Sequence, residues 1–69
     1  MMPSVHIDTM RQVYNRDICH ASGITRKPDK ITMKLNNGNK VQYVLFKTSI
    51  QRWLKDARGH IIDVRRASR

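Results

Sequence analysis

The chain contains no glutamate at all. Its only carboxylate side chains are five aspartates, set against fourteen Lys and Arg, and the formal net charge is +9. Asp8, Asp17, Asp29, Asp56 and Asp63 fall in separate segments, so no carboxylate pair supports general acid–base chemistry. Neither a Ser-His-Asp or Cys-His arrangement nor a Gly-rich phosphate loop is present, and the protein is expected not to be an enzyme. The lone Cys19 excludes an intrachain disulfide, and with His6, His20 and His60 it makes no recognised zinc spacing. No metal or other cofactor is expected, and a single free thiol fits a reducing compartment. No apolar run reaches the length of about 18 residues that a membrane helix needs. The start, MMPSVHIDTMRQ, has neither the basic nor the apolar region of a signal peptide. A cytoplasmic protein without a membrane partner is the expectation.

What is present is positive charge, unevenly placed. Between Met1 and Thr25, Arg11 and Arg16 cancel Asp8 and Asp17; the remaining twelve Lys and Arg, and the whole net charge, lie between Arg26 and Arg69. Such a segment binds polyanions by releasing their counterions, which makes nucleic acid the first partner to consider. At 69 residues the chain forms one small domain, short for a self-sufficient core, so homodimerisation or support from a partner is open. With 39% hydrophobic residues it is not a disordered polycation.

The three glycines, Gly23, Gly38 and Gly59, each end a periodic segment. Met10, Val13, Tyr14, Ile18 and Ala21 make a helical stripe behind a Thr9-x-x-Gln12 capping box, predicting a helix over 9–22. Ile31, Met33 and Leu35, then Val41, Tyr43 and Leu45, alternate about Gly38 and predict a hairpin over 31–46. A two-residue Asn37-Gly38 loop would scatter the apolar set over both faces. A three-residue Asn36-Asn37-Gly38 loop with Gly38 in the left-handed region pairs Met33 with Val41 and Ile31 with Tyr43. Thr48-x-x-Gln51 ahead of Ile50, Trp53, Leu54 and Ala57 repeats the helix signature and predicts a second helix over 49–58. The β-branched run 60–64 is a possible third strand, and residues 1–8 and 65–69 are expected to fray. The fold class expected is α+β: a two-layer helix–hairpin–helix domain with an optional C-terminal strand.

On this scheme Lys30, Thr32, Lys34, Lys40 and Gln42 share the hairpin's outer face, with Val44 and Phe46 at its far end. Arg52, Lys55 and Arg58 line the polar side of the second helix, Lys47 lies between, and Arg65, Arg66 and Arg69 follow. Lysines on an exposed strand face also keep a sheet soluble, but cations recurring on consecutive elements exceed that need. Asp56 is placed to pair with Arg52 four residues earlier. Tyr43 and Trp53 are assigned to the core and His20 and Cys19 to ordinary surface or semi-buried roles. The run Asp17 to Thr25 is similar to the opening of a helix-turn-helix. Charged Arg26 to Asp29 and the alternation after it supply no recognition helix, so no family is assigned. The expected function is nucleic-acid binding through Lys30, Thr32, Lys34, Lys40, Gln42, Lys47, Arg52, Lys55, Arg58, Arg65 and Arg66, as a DNA-binding regulator of the size found in phage and mobile elements, with duplex DNA favoured. The alternatives are an RNA-binding or ribosome-associated protein, and an inhibitor of a protein with an acidic surface.

Overall fold

A computed structural model describes residues 3–68. Their order is β1 (Ser4–His6), α1 (Ile7–Cys19), β2 (Ala21–Lys27), β3 (Lys30–Leu35), β4 (Lys40–Leu45), β5 (Ser49–Lys55) and β6 (Ile61–Ser68). The strands form one mixed sheet in the order β1-β6-β5-β4-β3-β2. From β2 to β6 the chain is an antiparallel meander, and β1 adds to the far edge parallel to β6. Helix α1 lies on one face, where Met10 packs with Met33, Leu35, Val41, Tyr43 and Ala67. The opposite face carries no second layer among the described residues.

The first helix forms as its stripe predicts, with different caps. His6, not Thr9, is the N-cap: its Nδ1 accepts the Asp8 backbone N–H at 3.2 Å, and Asp8 lies in the first turn, where the helix dipole favours an anion. The helix ends at Cys19, and from Ala21 the chain is already a strand, so the predicted span of 9–22 starts late and runs too far.

The hairpin is as the parity argument requires. Met33 pairs with Val41 and Ile31 with Tyr43, and the Gly38 N–H bonds to the Leu35 carbonyl at 3.0 Å with Gly38 at φ 93°. Gly59 repeats this turn: at φ 89°, its N–H bonds to the Asp56 carbonyl at 3.0 Å.

The helix–hairpin–helix expectation is wrong, because the predicted second helix is strand β5. Ile50, Arg52 and Leu54 face the helix layer, while Gln51, Trp53 and Lys55 face outward. Arg52 holds an inward position, which breaks the apolar alternation in the sequence and leaves a spurious 3.6-residue stripe. The capping box at Thr48 has no helix to cap, and Ala57 and Arg58 belong to the β5–β6 turn. There Asp56 accepts the backbone N–H groups of His60 and Arg58, each at 2.9 Å, which hold its carboxyl below the ordinary range; it does not pair with Arg52. β2 was unforeseen: all but its first residue are exposed, so it has no apolar period, and a register shift between Ala21 and Gly23 breaks what pattern remains. The third C-terminal strand exists and is longer than expected. Ser4–His6 and residues 66–68, expected to fray, pair with each other; Met1, Met2 and Arg69 lie outside the described residues.

Candidate nucleic-acid interface

Register fixes what each face of the sheet presents. Of the rows that run across the strands on the open face, three hold its cations and the residues between them. The first is Lys34, Lys40, Lys55 and Ile61, one from each of β3 to β6. The second is Thr25, Thr32, Gln42, Trp53 and Val64. The third is Lys27, Lys30, Val44, Gln51, Arg66 and Ser4.

Lys34 is paired with Lys40, Lys40 with Lys55, and Lys27 with Lys30. Directly opposed side chains sit about 5 Å apart at Cβ, and like charges there are destabilising. No aspartate relieves them. Asp8 is on the helix, Asp29 and Asp56 are in turns, and Asp17 and Asp63 are on the helix side of the sheet. Lys55 Nζ has only the Gln42 amide oxygen, at 3.3 Å. Protection against edge pairing does not account for the row, since Lys40 and Lys55 are on the interior strands β4 and β5.

The helix side shows how this chain treats cations that serve its fold. Arg52 and Arg65 are also paired across strands, yet Asp63 Oδ2 lies 3.0 Å from Arg65 Nε and 3.9 Å from an Arg52 terminal nitrogen. Arg52, 5% exposed, clasps Asp17, 4% exposed, with Nε at 2.9 Å and a terminal nitrogen at 3.1 Å. The Tyr43 hydroxyl donates to the same carboxylate at 2.6 Å, and no buried side-chain polar atom among the described residues lacks a partner. Burial, then the bond to Asp17, pushes the Tyr43 phenol well above its ordinary value of 10.0. Because the unfolded chain ionises Tyr43 near pH 10 and the fold does not, this contribution to stability is intact below pH 10 and falls as pH rises above it. Urea midpoints measured from pH 8 to 11 are expected to drop above pH 10, and to drop less in Tyr43→Phe.

Of the residues predicted to bind nucleic acid, Lys30, Thr32, Lys34, Lys40, Gln42, Lys55 and Arg66 come together on the open face. Lys47 and Arg58 lie exposed in the β4–β5 and β5–β6 turns, at opposite ends of the sheet. Arg52 and Arg65 are on the other side, held by aspartates. Lys27, Thr25, Gln51 and Trp53 join the face unforeseen. The helical stripe predicts Trp53 in the core; as part of strand β5 it stands opposite Gln42, on the outside. Exposed Phe46 follows β4 at the edge of this surface.

A cavity of about 370 Å³ lies between α1 and the sheet, lined by residues that include Ile7, Met10, Arg11, Tyr14, Leu45 and Ile50. It brings no pair of reactive groups together. No helix among the described residues is long and apolar enough to cross a membrane. No protein-family model, curated protein or solved structure matches this chain.

Proposed function

We propose that the protein is a non-enzymatic nucleic-acid-binding module that uses the open face of its sheet. The observation that carries this is the in-register row Lys34, Lys40 and Lys55 on adjacent strands of a face that holds no aspartate. Their mutual repulsion opposes folding, and a polyanion that supplies negative charge from outside relieves it. Lys27, Lys30 and Arg66 extend the positive field along the other side of the same face. The uncharged side chains between the cation rows, Thr25, Thr32 and Gln42, supply hydrogen-bonding groups for sugars and bases.

A salt titration tests the proposal. Six cations meeting phosphates give a slope of log K against log salt of roughly −4 to −5, the lower figure for a single strand and the higher for a duplex. Fluorescence anisotropy of a labelled oligonucleotide between about 20 and 200 mM salt measures it. Absence of binding at the low-salt end, or a slope near zero, defeats the proposal.

A further inference from the structure

Resting on that reading, we infer that the strand form bound is single-stranded, with a base stacked on Trp53 between the two rows of cations. Two independent features of the open face lead there: its width and the place of its only tryptophan.

Six strands at a spacing of about 4.8 Å span about 24 Å. The major groove of duplex DNA is about 12 Å wide and admits a helix or a two-stranded ribbon, not a sheet of this breadth. The strands that carry the centre of the face, β3, β4 and β5, are flanked by β2 on one side and β6 on the other, so they cannot enter a groove alone. The only helix among the described residues has its buried side against the sheet, and it belongs to the electrically neutral part of the chain. A duplex would therefore touch the cation rows with its phosphates and leave the middle row facing empty groove. Thr25, Thr32, Gln42 and Trp53 would have no partner.

A single strand has no such limit. Its bases turn freely toward a flat surface while its phosphates stay at the margin. The two cation rows are four residues apart along β3, from Lys34 to Lys30, which is about 13 Å in an extended strand. Between them lies the only aromatic side chain of the open face proper, Trp53, half-buried on the interior strand β5. Its indole N–H donates to Gln51 Oε1 at 3.0 Å, so the ring leans along β5 toward the next outward residue and its orientation is held. An aromatic plane fixed in this way is a stacking platform for any base, because every base has a π-face, and its cross-strand neighbours Gln42 and Val64 carry no charge.

The test uses the intact protein with twelve-nucleotide oligo-dT and oligo-U, and a duplex of mixed sequence and equal length, at one low salt concentration. Trp53 is the only tryptophan in the chain, so its emission reports on this position alone. Both single strands, or one of them, are expected to quench Trp53 and to bind at least tenfold more tightly than the duplex; which one binds better tells DNA from RNA. Trp53→Leu, which keeps an apolar side chain at the site, is expected to lose about tenfold in single-strand affinity. Its circular dichroism spectrum verifies that it folds, and the quenching measurement needs no variant. Binding of the duplex at equal or higher affinity, or single-strand binding without a change in Trp53 emission, overturns the inference and leaves the nucleic-acid proposal standing. If none of the three oligonucleotides binds, both fall.

Discussion

Arg52→Leu is expected to destabilise the protein by about 3 to 5 kcal/mol, the cost of leaving a buried partner charge without its counterion. The charge left behind is Asp17, a helix residue 4% exposed on the buried side of α1 and bound by two guanidinium nitrogens of Arg52. Tyr43 would still donate to it at 2.6 Å, but one neutral hydroxyl does not offset a carboxylate removed from water. A core of this size supplies only about 3 to 5 kcal/mol of net stability, so the variant is expected to be largely unfolded at 25 °C. Leucine at position 52 combined with Asp17→Leu is expected to fold. Replacing a whole buried pair by apolar side chains is often neutral or stabilising, because the desolvation of both charges disappears with their attraction. Urea denaturation followed by circular dichroism measures all three chains. A single variant as stable as the unsubstituted protein would show that the pair is not what seats α1 on the sheet.

The same pair explains why half of the topology was hidden in the sequence. The hairpin was legible because every inward position from Ile31 to Leu45 is apolar, and parity then allowed one loop length. Strand β5 was not, because its central inward position is Arg52, whose partner Asp17 lies 35 residues earlier. A local pattern cannot show that a charge is buried when the group that neutralises it arrives from another element. One signal was available: Asp17 falls at offset 7 from Met10, inside the helical stripe, and an acid there calls for a buried cation elsewhere in the chain. The strand Ala21–Lys27 offered no signal of its own, being an edge strand with nearly every side chain in water. The open face was legible in part. Lysine placement on the hairpin followed from register, whereas Lys55 and Trp53 could join it only once β5 was known to be a strand.

Lys40→Glu is expected to move stability and binding in opposite directions. Lys40 sits between Lys34 and Lys55, so one substitution converts two repulsive cross-strand pairs into attractive ones. Cross-strand pairs contribute roughly 0.2 to 1 kcal/mol each, and the variant is expected to gain about 1 kcal/mol and to melt several degrees higher. Lys40 is exposed on an interior strand, so no packing is lost to mask the gain. Binding should suffer, since a carboxylate in the middle of the row repels the phosphates the row attracts. Adding Lys34→Glu is expected to lower affinity by about two orders of magnitude at low salt and to shrink the salt slope by about two phosphate contacts. Arg11→Glu with Arg16→Glu, which changes the net charge by the same amount on the helix instead, separates local contact from bulk charge. That pair of substitutions should cost far less binding. Thermal melting and anisotropy on these variants decide the matter: a Lys40→Glu protein that melts lower and binds as well as before would mean that the lysine row belongs to the fold, and that the cations of this face have another purpose.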